Sequence, residues 1–406
     1  MNKYILVVHP TGNQNSKSVA HGLAEENLLY AFITALHFNS NKWNWLPGKL
    51  VTEIKRRDFS EIKSPIISGS PFREGLRLLG SKLKLKFLTQ HEVGFASVDK
   101  IYHATDCFAS KYLKKHAAEI SAVYCYEDGA LETFKVAKKL NIKCIYELPI
   151  GYWRSHHRLN QEEYALQPEW ANSWNAIQDS EIKLARKDEE LALADQIIVA
   201  SSFTKKTLED YPKALAPIIV VPYGCPNNEI LDRNWFQAKG KLKVLYVGGL
   251  SQRKGLSYLV DAIDTLDNKV EFSFIGSGTA VELVQGILPR ASYLGTMPHS
   301  QVLEVMRMHD ILVFPSLFEG FGMVITEAMS QGMVVIATNH TALPDTADEN
   351  TGILVPIRDS SAIADVLIDL IDNPEKVKKI GQAAMMLAQS YQWHDYESKI
   401  VKAVTK

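Results

Sequence analysis

Short apolar runs recur along the chain, each followed by a polar or glycine-bearing turn and then by residues with helical spacing. Tyr4–Val8 opens the pattern as a buried strand. A polar loop follows from His9 to Ser18, and Val19–Leu36 is helical in pattern. Residues 37–100 are irregular. Within them, Ser81–Phe87 alternates lysines with apolar residues, and on a strand its three lysines share one face. That alternation reads as an edge strand protected by charge. Its other reading is a small basic face touching an anionic acceptor, or a weak peripheral contact with a membrane surface. From residue 101 the rhythm is regular. Ile101–Ala104, Ala122–Tyr126, Lys143–Leu148, Gln196–Ala200 and Ile218–Val221 read as strands. Ala130–Lys139 and Glu181–Ala194 read as helices, and Ser201 or Ser202 caps another that starts at Phe203. A long excursion carrying Trp170 and Trp174 separates Leu148 from Glu181.

A second alternation starts at Lys243–Val247, after a polar stretch over 226–242. Glu271–Ile275, Ile311–Phe314, Val334–Ala337 and Gly352–Val355 are its further strands. Leu256–Leu266, Gln301–His309, Ser361–Asn373, Pro374–Ser390 and Tyr396–Thr405 are its helices. Strands alternating with helices predict an α/β fold with parallel sheets and crossover helices. A chain of 406 residues predicts two such domains.

Composition excludes more than it identifies. A net charge of -1 gives no basic surplus for nucleic acid. No apolar run reaches the ~20 residues that span a bilayer, and the residues around Tyr4–Val8 lack the parts of a secretion signal. The expected location is therefore the cytoplasm, with peripheral membrane contact as the variant. The four cysteines are scattered without a C-x-x-C pair, which reads as free thiols in a reducing compartment. No G-x-G-x-x-G follows the first strand, which argues against a dehydrogenase.

The chemistry concentrates in the second half. Glu319-Gly320-Phe321-Gly322-Met323-Val324 links the strand Ile311–Phe314 to a helix, and Glu327 follows eight residues after Glu319. The two glycines let a ligand approach the backbone N–H groups. The helix points its free N–H groups and positive pole at the same place, a seat for anionic oxygens. Glu319 stands at its mouth, and Glu327 is placed to accept hydrogen bonds from a ribose diol. Phosphate, ribose and a polyhydroxy group held together suggest a nucleotide sugar. The plain alternative is an ordinary turn with two solvated glutamates. Upstream, Gly249 and the pair Arg253-Lys254 follow the strand Lys243–Val247 and precede a helix. Two cations at a helix start oppose the dipole unless they neutralise an external diphosphate.

The passage from Pro315 to Ala337, with its E-G-F-G, E-A-M and following glycine, resembles the donor-site signature of retaining family-4 glycosyltransferases. The resemblance covers most of residues 101–390. It implies the GT-B architecture, two Rossmann-like domains facing each other across a cleft. The expected domains are 1–217 on the acceptor side and 218–388 on the nucleotide-sugar side, with 389–406 a helix crossing back. It implies metal-independent transfer of a sugar from a nucleotide-diphosphate sugar to a hydroxyl of a glycan, lipid or small molecule, with configuration retained. No Asp-x-Asp metal motif is present, and no cofactor is expected beyond the co-substrate. Glu319, Arg253 and Lys254 become the catalytic candidates. Glu327, Gly249, Gly276 and the loop carrying Thr296 and Met297 join Gly320, Phe321, Gly322, Met323 and Val324 around the donor. The chain departs from the family twice. Gly249 stands where the family has an arginine, and Glu147-Leu148-Pro149 stands where many members carry a histidine. His103, at the end of the strand read over Ile101–Ala104, and His156 are substitutes for it. Glu127 and Asp128, at a strand end, and Gly12 and Asn13, in the first loop, are acceptor-side candidates. A sugar-nucleotide epimerase or hydrolase, or an inactive sugar-nucleotide-binding relative, is the alternative. Lys254→Ala is expected to cost far more rate than stability.

Overall fold

The structure is a computed structural model, which describes residues 4–38, 57–174, 179–226, 232–237 and 240–405. It contains two parallel sheets. The first has β1 (Tyr4–Val8), β2 (Leu29–Thr34), β3 (Ile66–Ser68), β4 (Ile120–Tyr126), β5 (Lys143–Leu148), β6 (Gln196–Val199) and β7 (Ile218–Val220), in the order β3-β2-β1-β4-β5-β6-β7. The second has β8 (Leu242–Val247), β9 (Val270–Ile275), β10 (Ser292–Tyr293), β11 (Ile311–Phe314), β12 (Val334–Thr338) and β13 (Ile353–Val355), in the order β10-β9-β8-β11-β12-β13. Helices cover both faces, so the central strands read as unbroken apolar runs rather than alternating ones; all of Ile311–Phe314 is buried. In each sheet the strand order reverses beside the domain's first strand, between β1 and β4 and between β8 and β11. Ligands in open α/β sheets bind beyond the carboxyl ends of the strands at such a switch point.

The chain returns to its first domain at the end. The helix Trp393–Thr405 lies along the helix Gln14–Glu25, and its Tyr396 and Ile400 share a core with Val19 and Leu23. Gln196 Nε2 donates to Ala403 O at 2.8 Å, and His21 Nδ1 meets Glu397 Oε2 at 2.9 Å. The long excursion goes the other way. Leu159, Trp170 and Trp174 are buried in the core of the second domain.

Three sequence expectations are corrected. The helix read over Val19–Leu36 ends at Glu25, and Asn27, at φ 55°, turns the chain into β2. Ile101–Ala104 is not a strand but part of the helix Val98–His116, whose start Ser97 caps by accepting from Lys100 N at 3.2 Å. Its buried Ile101, Thr105, Ala109 and Leu113 keep the four-residue step of a helix face. Ser81–Phe87 is not a strand either. It holds the end of the helix Pro71–Lys82, a left-handed turn at Lys84 and the start of the single turn Lys86–Thr89. A short alternation does not by itself distinguish an edge strand from a helix end. The linker reading over 226–242 falls partly outside the described residues.

Candidate functional site

The loop after β8 supplies two cations. Residues Gln252–Lys254 form one tight turn before the helix Leu256–Thr265. That turn is fixed to the neighbouring loop after β11, since Leu317 N donates to Arg253 O at 2.9 Å. Lys254 is buried over the Phe314 ring, its Nζ in an ion pair with Glu319 Oε1, and Ser316 Oγ donates to the same carboxylate at 3.3 Å. Burial, and then the adjacent Arg253 guanidinium, push the Lys254 ammonium well below its usual range. The touching carboxylate opposes that shift and favours the ionic pair. Burial also lowers Arg253. No hydrogen bond or ion pair satisfies its guanidinium among the described residues.

The loop after β11 then enters the helix Met323–Ser330 through Gly322, whose φ of 84° lies in the left-handed region. Gly320 is there for room: a Cβ would sit 2.0 Å from Pro149 O of the first domain. Phe321 goes the other way. Its ring is buried in the first domain's core, 5.2 Å from Tyr223, so this residue offers a ligand only backbone. Met323 and Val324 are half-buried in the first turn of the helix. Glu327 is buried one turn on and meets His299 Nε2 at 2.9 Å. That contact raises the His299 pKa above its usual value.

The remaining donor-side residues fall along the same sheet edge. Gly276 N donates to Gly295 O at 2.9 Å, which joins the loops after β9 and β10. Thr296 is exposed and Met297 half-buried in the segment leading to His299. Gly249 is open, with no atom within 4 Å of a Cβ placed there, so packing does not explain glycine at that position. The structure thus gathers Gly249, Arg253, Lys254, Gly276, Thr296, Met297, Glu319 and Glu327 beyond the carboxyl ends of β8 to β11.

The first-domain candidates divide. Gly12 N donates at 2.9 Å to Nδ1 of His9, and Asn13 caps the helix Gln14–Glu25 by accepting from Ser16 N at 3.1 Å. Thr11–Gln14 line a cleft of about 600 Å³ with Lys17, Arg57, Arg77 and Lys82. Glu127 is at the carboxyl end of β4, with its pKa raised to about 7 by burial, against the pull of Lys187 Nζ at 3.6 Å. Asp128 adopts φ 69° and lies 3.7 Å from both Lys183 and Lys187. His103 is in the middle of a helix rather than at a strand end, and burial lowers its pKa to about 4. His156 accepts from Trp174 Nε1 at 2.8 Å and packs edge-on to Phe318, 4.9 Å away, next to Glu319. Burial and then the Arg253 charge lower it to about 4, and its Nδ1 has no partner among the described residues.

Three residues were not legible as site residues. His299 could have been noticed as a titratable group directly after the Thr296–Pro298 loop. His9 stands at the end of β1, where burial pulls its pKa to about 3 and leaves it neutral. Glu163 lies in the excursion with no motif around it. It is fully buried and accepts from Gln252 Nε2 at 2.8 Å, one residue before Arg253. In place of the family's histidine, Glu147 is a buried acceptor for Tyr124 at 2.6 Å, Tyr223 at 2.7 Å and Asn15 at 3.1 Å, a structural knot behind the cleft.

Comparison with known proteins bears on the same half of the chain. Residues 241–373 match the family model described as Glycosyl transferases group 1. An uncharacterized glycosyltransferase of Methanocaldococcus jannaschii is 30% identical over 206 residues, 49% of this chain and 56% of that protein. A D-inositol 3-phosphate glycosyltransferase of Corynebacterium efficiens is 29% identical over 257 residues, 55% of this chain and 59% of that one. The chain therefore spans little more than half the length of these relatives. Among solved structures, sucrose-phosphate synthase from Thermosynechococcus elongatus superposes with a TM-score of 0.64 at 18% identity, over 98% of both chains. Anabaena HepE in complex with UDP gives 0.62 at 15% identity, over 99% of both. These whole-chain superpositions establish the GT-B fold, and the second domain, over residues 241–373, is similar to the glycosyl transferases group 1 family.

Proposed function

We propose that the protein is a retaining glycosyltransferase that takes a sugar from a nucleotide-diphosphate sugar without a metal ion. The observation that carries the reading is the Arg253 guanidinium, half-buried and without a hydrogen-bond or ion-pair partner among the described residues, next in sequence to the Lys254–Glu319 pair and on a turn bonded to the loop that leads into the helix Met323–Ser330. A cation held there without a carboxylate of its own suits an external anion. In the proposed reaction the bond from the anomeric carbon to the diphosphate breaks, and the leaving group takes the electron pair. Arg253, Lys254 and the helix N–H groups stabilise its developing charge. The acceptor oxygen bonds to the anomeric carbon on the same face, and its proton passes to the departing phosphate. Glu319 holds sugar hydroxyls and Glu327 the ribose. Arg253 and Lys254 do the neutralising that a divalent cation does elsewhere. HepE is solved with UDP, which supports a nucleoside diphosphate as the ligand class.

Thermal unfolding with UDP, GDP, ADP and dTDP, with and without EDTA, tests this. One nucleotide raises the midpoint by mass action, EDTA leaves the shift in place, and Arg253→Ala abolishes it. A folded protein shifted by none of them overturns the reading. Loss of the shift with EDTA overturns metal independence alone. Donor breakdown that ignores every offered acceptor selects the hydrolase reading instead.

A further inference from the structure

Among the described residues nineteen large apolar side chains are exposed, and seven of them lie between Phe72 and Val98. Scattered exposure is normal for a folded protein, but concentration in one segment is not. The helix Pro71–Lys82 explains the concentration. Phe72, Leu79 and the capping residue Leu83 lie within about 40° of one another around the helix axis, and they are 70%, 52% and 58% exposed. Glu74, Arg77, Leu78 and Ser81 occupy the opposite side. Glu74 is buried there between Arg57 and Arg77, and Arg77, Leu78 and Ser81 line the cleft beside Thr11–Gln14. The helix thus has an inner face that closes the acceptor-side cleft and an outer apolar face that the chain leaves uncovered. The outer face continues past the helix. Phe87 is 69% exposed, and the exposed Phe95 lies 6.4 Å from Phe72, with the Arg73 guanidinium 4.0 Å over its ring.

The fully exposed charged side chains of this segment are lysines. Lys82, Lys84, Lys86 and Lys100 are exposed. The carboxylates of the same segment are occupied: Glu74 by its arginines, Asp99 by Lys183 at 2.7 Å, and Glu92 by Ser180, whose N and Oγ both donate to it. We propose that this face docks on an anionic lipid bilayer, with Phe72, Leu83 and Phe87 entering the interface and the lysines facing the headgroups. Apolar area combined with attraction between lysines and anionic headgroups is what holds a helix in the plane of a membrane surface. A second copy of the chain fits less well, because it would set the same lysines against each other. No described helix is long and apolar enough to cross a membrane, so the contact is peripheral. The lipid lies about one helix diameter, roughly 10 Å, from the cleft that the inner face lines. An acceptor carried on a membrane lipid would be within reach. That consequence rests on the glycosyl-transfer reading, whereas the docking does not.

Co-sedimentation with vesicles tests the docking. The full chain is spun with phosphatidylcholine vesicles and with equimolar phosphatidylcholine and phosphatidylglycerol vesicles, at low and high salt. Binding to the mixed vesicles alone, weakened by salt, is expected. Lys84→Ala with Lys86→Ala lowers partitioning by about tenfold or more, and Phe72→Ser with Phe87→Ser lowers it in a separate variant. Both variants keep the parent's far-UV circular dichroism and melting midpoint without nucleotide, which shows that they fold and keeps this test independent of the donor-site one. No binding to either vesicle overturns the proposal, as does binding that neither variant weakens. A dimer in sedimentation velocity that either variant dissolves also overturns it and assigns the face to a second copy.

Discussion

Arg253 and Lys254 are adjacent, yet their surroundings give them opposite mutational signatures. Lys254 is buried against the buried Glu319, so Lys254→Ala strands a carboxylate. Breaking a buried pair from one side costs about 3–5 kcal/mol. Lys254→Ala is therefore expected to carry this stability cost beside the larger loss of rate. Arg253 strands nothing, and Arg253→Ala is expected to leave stability within about 0.5 kcal/mol of the parent. Its catalytic cost should match that of losing one oxyanion donor, about 10²–10³ in kcat. Urea unfolding beside steady-state transfer rates checks both, and an Arg253→Ala enzyme with undiminished kcat would remove the residue from the site. His299 gives a pH signature. Its pKa is raised in the folded protein by Glu327, so the stability it contributes is fully present below the unfolded value of 6.5 and is lost as pH rises through the folded value. The difference in melting midpoint between the parent and His299→Gln is therefore expected at about pH 5.5 and absent at about pH 9. An equal difference at both would show that the pair carries no proton linkage.

The helix Trp153–Leu166 is the element that ties the chemistry to the scaffold. Its Glu163 accepts from Gln252 Nε2 at 2.8 Å and from Arg358 Nε at 2.5 Å, so a residue from the first half of the chain holds the turn that presents Arg253. Glu163→Ala leaves buried donors without acceptors, and a loss of about 3–5 kcal/mol is expected, with weaker nucleotide binding. Glu163→Gln, which keeps one carbonyl acceptor, should recover part of both, and Ala and Gln variants of equal stability would refute the ionic account. Nothing in the sequence announced Glu163, because its partners lie 89 and 195 positions away. What the sequence did announce is local. The strand Ile311–Phe314, the turn at Gly322 and the helix carrying Glu327 are one continuous strand–loop–helix unit, legible although the partners of its glutamates, Lys254 and His299, lie elsewhere in the chain. The same locality explains the failures. The short run Ile101–Ala104, apolar but for His103, and three alternating lysines at Ser81–Phe87 fit a strand and a helix equally well, and only tertiary burial decides. His103 was misplaced together with its strand. The missing family histidine was visible as Glu147, but the tyrosine knot that Glu147 supports comes from three separate elements.

At the scale of the whole molecule, the proposed donor loop is also where the two domains touch. Ser201 Oγ and Thr204 Oγ1, at the start of a first-domain helix, both donate to Gly320 O, the latter at 2.9 Å. Phe321, the next residue, is buried in the first domain's core. The E-G-F-G sequence therefore does two jobs. Its glutamate pairs with Lys254 and its second glycine opens the helix Met323–Ser330, the proposed donor side, while its first glycine and phenylalanine dock the neighbouring domain. Gly320→Ala separates those jobs. Its Cβ would lie 2.0 Å from Pro149 O, a backbone atom that no rotamer change can move aside. The second domain must then shift away from the first, or the loop must distort. Overpacking of this kind costs about 1–3 kcal/mol, and both sheets have their own cores to absorb it. The expected variant keeps its far-UV circular dichroism, melts earlier and still shifts with the cognate nucleotide, because Arg253 and Lys254 are untouched. Its transfer rate falls far more than its nucleotide affinity, because the proposed acceptor and donor residues sit on different domains whose spacing the substitution changes. Isothermal titration with the nucleoside diphosphate beside a transfer assay reads the two quantities separately. Equal losses in both would mean that Gly320 serves only the donor pocket, and that the contact between the domains is set elsewhere.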